Sequence, residues 1–238
     1  MPVALITGGS AGLGRAFAHA LADDGWTVVV DGRDAKRLAA AVDREGIHPV
    51  LGDVTDAAHR ADLVAAVRQY GRLDLLVHNA STLGPLPEPA GRDTWLPRLA
   101  DVTADDLQHV WRTNIGAPLV LTTDLLGDLV ASRGILLGIS SDAAVAHYEG
   151  WGLYGASKAG LDHVVLTFGA ENDAITAYAV DPGDMRTQMQ ADAFPGEDIS
   201  DRAEPETVVP HLLALIAARP ASGRYRAADV AVLAGTGS

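Results

Sequence analysis

Apolar runs of strand length alternate along the chain with stretches of helical period. The first run, VALIT, precedes a segment that places Leu13, Phe17, Ala20 and Leu21 on one helical face. TVVV follows, then a helical stripe of Leu38, Ala41 and Val42, then the short strand HPVL. DAAHRADLVAAVRQYG reads as a helix with Leu63, Val64 and Val67 as its stripe, and LDLLVH as the next strand. GILLGIS, AITAYAV and AADVAVL complete the set of expected strands. Strands that are apolar throughout belong in a sheet covered on both faces. Their interleaving with helices predicts right-handed crossovers and a parallel order. The pattern therefore predicts an α/β fold: a doubly wound parallel sheet of about seven strands in one domain over residues 1–238, with ligands at its carboxyl edge. Two stretches break the alternation, 80–103 and 183–205, both polar and scattered with Pro and Gly. The expected substrate loops are 81–103, 142–151 and 184–205.

Composition narrows the partners. A net charge of −13 disfavours nucleic acid and anionic membrane. There are no cysteines, hence no disulfide, thiolate metal site or Cys nucleophile, and a cytoplasmic location is expected. No apolar run approaches the roughly 20 residues of a membrane helix. The opening MPVALITGG lacks a positive flank and is expected to be a buried strand, not a leader. The eight histidines are scattered without a short-spaced pair, so no metal is expected.

Between the first strand and the first helix lies TGGSAGLG, with Gly8, Gly9, Gly12 and Gly14. Gly8 permits a tight turn, Gly12 lets backbone approach a pyrophosphate, and Gly14 lets helix pack closely on strand. Ser10 and Leu13 fall inside the same turn. The helix N-terminus adds free N–H groups and a positive dipole end, so a dinucleotide is the expected ligand. The second strand ends in VVVDGRD, where Asp31 would suit the ribose hydroxyl of NAD and Arg33 the 2′-phosphate of NADP. LGDVTD offers Asp53 and Val54 for the adenine ring, although Asp53 serves equally well as a turn or cap residue.

Further on, YGASK puts Tyr154 and Lys158 one helical turn apart. A nearby cation favours a phenolate, and a tuned phenol exchanges protons in either direction. GILLGISSDAA ends a strand in two serines, either of which could hold a carbonyl or merely shape a turn. In WRTNIGAP, Pro118 lacks the N–H that the Asn114 carbonyl would accept, leaving either a kink that anchors a water or a helix end.

Together these segments resemble the short-chain dehydrogenase/reductase superfamily, of Rossmann type, over nearly the whole chain. The family's Asn-Asn-Ala-Gly segment matches HNAS, His78 to Ser81, and its Pro-Gly segment matches DPGDMRT. The resemblance implies a catalytic tetrad of Asn114, Ser141, Tyr154 and Lys158. Tyr154 is then the acid/base, Lys158 binds the nicotinamide ribose and lowers the phenol's pKa, Ser141 polarises the substrate carbonyl, and Asn114 holds a relay water. Asn79, Ala80, Pro182, Gly183 and Thr187 join the cofactor site. Ser141 is preferred over Ser140 because it stands thirteen residues before the tyrosine. Gly32 occupies the family's NAD-selecting acidic position and Arg33 the arginine position of NADP-preferring members, so NADP(H) is favoured over NAD(H). His78 and Ser81 depart from the family pattern and are expected near the adenosine ribose. A small carbonyl or alcohol substrate and a homodimer or homotetramer are also implied. The alternatives are a non-catalytic nucleotide-binding regulator and a sugar epimerase or dehydratase, whose extended chains usually carry an added domain. His147 and Tyr148 are expected at the substrate edge, with Trp95, Trp151, Met185, Met189 and Phe194 as candidate pocket walls. PGEDISDRAEPE is expected to be a solvated lid.

Overall fold

Seven strands form one parallel sheet in a computed structural model that describes residues 1–84, 86 and 96–231. They are β1 (Val3–Ile6), β2 (Thr27–Gly32), β3 (Ile47–Leu51), β4 (Leu75–His78), β5 (Ile135–Ile139), β6 (Thr176–Asp181) and β7 (Gly223–Arg226). The spatial order is 3-2-1-4-5-6-7. β1 pairs on one side with β2 and on the other with β4. The chain thus leaves β1 in one direction and later resumes on its opposite flank. A crevice opens where the direction reverses, at the carboxyl ends of β1 and β4.

Eight helices are described: α1 (Gly12–Asp23), α2 (Ala35–Ala41), α3 (Ala57–Arg68), α4 (Ala104–Trp111), α5 (Ala117–Ser132), α6 (Gly152–Glu171), α7 (Gln188–Ala193) and α8 (Pro205–Ala218). Successive strand residues face opposite layers, as the pleat dictates. Ala4 and Ile6 of β1 join Phe17 and Leu21 of α1 and Leu212 and Leu215 of α8 in one core layer. Leu5, between them, joins Leu63 and Val67 of α3, Leu121, Leu125 and Leu129 of α5 and Leu161 of α6 in the other. Both faces are covered, which is why the strands carry no polar alternation.

Two elements differ from expectation. The last described strand is the polar stretch Gly223–Arg226, and Ala227–Asp229, expected to open the strand AADVAVL, form a 3₁₀ turn; Val232 and Leu233 of that expected strand lie outside the described residues. Among the described residues β7 pairs only with β6, from Tyr178↔Gly223 to Asp181↔Arg226, and an edge strand tolerates polar side chains that a central one excludes. The helix at Pro118 neither ends nor starts afresh. A π turn, Arg112–Gly116, joins α4 to α5, with the Ala117 N–H reaching back to the Arg112 carbonyl. Pro118 lies in the first turn of α5, where its missing N–H is tolerated. The run Ala104–Ser132 is long and apolar enough to span a bilayer by composition, yet Leu121, Leu125 and Leu129 are fully buried against the sheet. The π turn also sets Asn114 inward, nearly fully buried, at the crevice.

Candidate active site

The glycine turn closes around β4. Gly8 has φ +68°, and a Cβ there would sit 2.9 Å from Ala80 Cα. At Gly14 a Cβ would lie 2.5 Å from the Gly8 carbonyl oxygen, so neither position admits a side chain. Asn79 Nδ2 donates to the carbonyls of Thr7 at 2.9 Å and Gly8 at 3.0 Å. In return, Thr7 Oγ1 accepts from the Asn79 and Ala80 N–H groups at 3.1 Å each. Ala11 caps α1 without a side-chain hydrogen bond, so the first N–H groups of the helix stay free for an anion.

Ser10, Gly12 and Leu13 line the cleft above this turn. At its adenosine end stand Arg33, Arg37, Asp53 and buried Val54. Asp53 is a turn residue as well as a rim residue: Oδ1 accepts the Thr55 N–H at 2.8 Å, and Oδ2 lies 3.7 Å from Arg33 Nη1. Partial burial opposes its charge, but Thr55 and Arg33 outweigh that and hold the carboxyl below its usual value. Asp31 does not reach the rim; it is buried beneath the turn. Across the cleft, Pro182, Gly183 and Thr187 follow β6. The Gly183 N–H is held by Asp181 Oδ1 at 3.0 Å, and Thr187 caps α7.

The chemical end gathers around α6. Lys158 Nζ lies 5.5 Å from the Tyr154 ring centroid and donates to the Ile139 carbonyl at 2.7 Å. Both side chains are buried. Ser141, two residues beyond β5, caps a 3₁₀ turn: its Oγ accepts the Ala143 N–H at 3.2 Å and donates to Asp142 Oδ1 at 3.1 Å, and the hydroxyl favours the Tyr154 phenolate. Ser140 is buried beside it. Arg224 of β7 fixes this corner, donating to the Ser141 carbonyl at 2.8 Å and to Asp162 Oδ2 at 3.1 Å. Sequence reasoning missed Arg224; an arginine in a short strand after the last helix was its one visible signal.

Electrostatics here differ from the expected lysine-driven activation of the phenol. Burial pushes the Tyr154 phenol above its ordinary value of 10, and the hydroxyls of Ser81 and Ser141 only partly offset this. Burial also brings Lys158 down from 10.5 to about 8, against the pull of Asp162. The same desolvation acts on both groups, and the ammonium is turned toward the Ile139 carbonyl.

Asn114 links the loop after β4 to α6. Its Oδ1 accepts from the Thr82 N–H at 2.9 Å and the Ser81 hydroxyl at 3.3 Å. Its Nδ2 donates to the Thr82 carbonyl and to Ser157 Oγ, each at 2.9 Å, and Ser157 in turn donates to the Tyr154 carbonyl at 2.6 Å. Ser81 therefore does not sit at the adenosine ribose. β4 pairs with β5, so the chain leaving it crosses toward Ser141 and Tyr154. His78 also faces elsewhere: it is buried, with Nε2 2.6 Å from Thr122 Oγ1 on α5, and burial lowers its pKa to about 3. Ser157 went unnoticed although it lies inside YGASK, one residue before the lysine.

The two ends share one cleft of about 820 Å³. Trp151, Met189 and Phe194 pack against Leu83, Leu96 and Tyr154 on its substrate side. The Trp151 ring stands 5.6 Å from Tyr154, edge-on, and 5.8 Å from Phe194. Met185 also lines the cleft; His147 is exposed and does not, whereas Tyr148 does and donates to Asp142 at 2.8 Å. Trp95 lies outside the described residues. The expected lid, residues 195–206, is tied to the segment after β6: Ala203 forms a parallel bridge with Met185, Glu204 pairs with Arg186, and Pro205 already opens α8.

Residues 2–198 match the model of the short chain dehydrogenase family. The chain belongs to that family. This dehydrogenase is 33% identical over 191 residues to serine 3-dehydrogenase of Agrobacterium fabrum, covering 78% of this chain and 72% of the relative. It is 30% identical over 226 residues to a benzil reductase ((S)-benzoin forming) of Saccharomyces cerevisiae, covering 89% and 80%. A short chain dehydrogenase from Escherichia coli CFT073, solved with NADPH, superposes with a TM-score of 0.83 at 28% identity over 95% of this chain and 96% of that one. The dehydrogenase is thus an NAD(P)-dependent oxidoreductase. Its own residues fit such a cofactor: a turn with no room for a side chain, free helix N–H groups, and a cleft running from Arg33 to Lys158.

Proposed function

We propose that this dehydrogenase uses NADP(H) to interconvert a carbonyl and a secondary alcohol, with Tyr154 as general acid/base. The observation that carries the reading is one buried phenol at the end of the nucleotide cleft, with the hydroxyls of Ser81 and Ser141 acting on it and the Lys158 ammonium 5.5 Å from its ring centroid. The cofactor, when bound, supplies or accepts the hydride. The protein does the rest. The Ser141 hydroxyl stands beside the phenol, where it can hold a carbonyl oxygen. The raised pKa keeps the phenol protonated at neutral pH, ready to give its proton to a developing alkoxide. The Ser81 hydroxyl, which donates to Asn114 Oδ1, offsets part of the burial penalty on the phenolate that this transfer leaves.

NADP(H) is favoured because Arg33 and Arg37 stand at the adenosine rim while Asp31 is withdrawn from it. Among the described lining residues the cations are Arg33, Arg37 and Lys158, whereas the substrate side carries Asp142, Glu149, Asp184 and Asp192. With Trp151, Met189 and Phe194 as walls, this side suits an apolar, uncharged carbonyl, and the benzil reductase relative supports an aromatic one. The exposed apolar side chains Leu107, Trp111, Leu119 and Val120 on α4 and α5 offer a face for the homodimer or homotetramer, which light scattering tests.

The deciding experiment follows NADPH oxidation with a panel of aryl ketones, aliphatic ketones and 2-oxo acids. Aryl ketones are expected to turn over, and Tyr154→Phe to abolish the rate by about a thousandfold or more while NADPH still binds. Undiminished turnover by Tyr154→Phe removes the phenol from its role. Tight NADPH binding with no carbonyl reduced points instead to a non-catalytic nucleotide sensor.

A further inference from the structure

The end of β2 holds a carboxylate that the reaction leaves unused. Asp31 is buried on the floor of the cleft, beneath the adenosine rim. Its Oδ1 accepts the Gly8 N–H at 2.6 Å, and its Oδ2 hydrogen-bonds Nε2 of His59 at 3.1 Å. His59 belongs to α3 and is itself buried. Its Nδ1 has no hydrogen-bond partner among the described residues. A Cβ at Gly52 would fall 2.2 Å from that atom, so the ring is confined to the pose that meets Asp31. The next strand residue, Gly32, has no room for a side chain, since a Cβ there would lie 2.7 Å from Ser10 Cβ.

Neither of the last two residues of β2 therefore offers a free carboxylate to a ribose hydroxyl. What remains at the rim is Arg33, with a side chain 70% exposed and 3.7 Å from Asp53, and Arg37. A carboxylate left without partners in this floor would repel a neighbouring phosphate, because charges in a partly buried site are weakly screened. Held by two donors, its charge is spread and its oxygens are occupied.

We infer that His59 is a specificity-determining positioning residue: by holding Asp31 against the glycine turn it withdraws the acid from the ribose and leaves the arginine rim to select the nucleotide that bears a 2′-phosphate. The inference rests on the NADP(H) reading above. Selectivity is thereby set from α3, a helix that does not itself present the phosphate-reading side chains.

The test is isothermal titration of the intact protein with NADPH and with NADH, which needs no substrate. His59→Leu removes the donor at similar volume, and His59→Asn, polar but too short to reach Asp31, is the second variant should the first fail to fold. Either is expected to weaken NADPH about tenfold, the loss of one hydrogen bond to a buried charge, while NADH changes less than about threefold. Adding Asp31→Asn to the His59 variant is expected to restore NADPH affinity, because the repelling charge is gone. His59→Gln, which keeps an N–H donor, is expected to retain the preference. Equal weakening of both nucleotides, or an unchanged ratio, overturns the inference and leaves the NADP(H) reading standing. A wild-type protein that prefers NADH overturns both.

Discussion

Lys158 carries a charge in a place that resists one. It is 2% exposed, with one carbonyl within hydrogen-bond reach and Asp162 one turn further along α6. The drop from 10.5 to about 8 corresponds to about 3 kcal/mol of preference for the neutral amine over its ordinary balance. Because the folded value lies below the unfolded one, the cost of burying the ammonium is fully present below about pH 8. It disappears as pH rises toward 10.5, where both folded and unfolded chains have lost the proton. Lys158→Met removes the titration. The wild-type protein is therefore expected to gain about 3 kcal/mol relative to the variant between about pH 7 and 11, read from urea midpoints at constant slope. The chain has only two lysines, Lys36 and Lys158, so [ε-13C]lysine labelling gives two NMR signals and a direct titration. Lys36, on the exposed face of α2, is the internal comparison. Asp162→Asn is expected to push the Lys158 midpoint further down, since the carboxylate supports the ammonium. A midpoint near the ordinary lysine value of about 10.4, with no pH-dependent gap between wild type and Lys158→Met, refutes the reasoning.

Other perturbations probe the rest of the site. Ser81→Ala removes a hydroxyl that favours the phenolate and is expected to lower kcat about fivefold with NADPH affinity unchanged; an unaltered kcat and pH profile would show that Ser81 does not act on the phenol. Arg224→Met releases the Ser141 carbonyl and is expected to lower kcat about tenfold while leaving the KM for cofactor alone; parallel losses in both would mark a general folding defect. His78, held neutral down to about 3, lets the unfolded chain take the proton first as pH falls below 6.5. It is expected to cost about 2 kcal/mol of stability by about pH 5, a loss that His78→Asn should not show in urea titrations at about pH 7 and 5.

Much of the scaffold was legible because burial on two faces leaves an unmistakable mark. β1 and β5 are apolar throughout, β2, β4 and β6 have apolar centres with polar residues only at their ends, and the helices between them carry their stripes at the right spacing. The glycine turn and the Tyr154–Lys158 pair were legible for the same reason: each is a local arrangement of consecutive residues. What stayed hidden depends on distant partners. β7 is polar because it pairs on one side only, and no pattern within Gly223–Arg226 announces that. Ser81 was misplaced because its position is decided by Asn114, more than thirty residues on, accepting the Thr82 N–H. The direction of Asp31 is decided by His59 across the layer, and that of the Ser141 corner by Arg224 from the last strand. The phenol's electrostatics could not be read at all, since proximity of an ammonium is visible in sequence but shared desolvation is not.

The mutual bracing of Thr7 and Asn79 has a temporal consequence. More than seventy positions separate the two halves of that clasp, so the phosphate cradle cannot take shape when its glycines first emerge from the ribosome. It becomes competent only once β4 has docked beside β1, a step with a long loop to close. A nascent chain that stalls before Asn79 is consequently blind to nucleotide, and dinucleotide in the surrounding medium can rescue only molecules that have already passed that point.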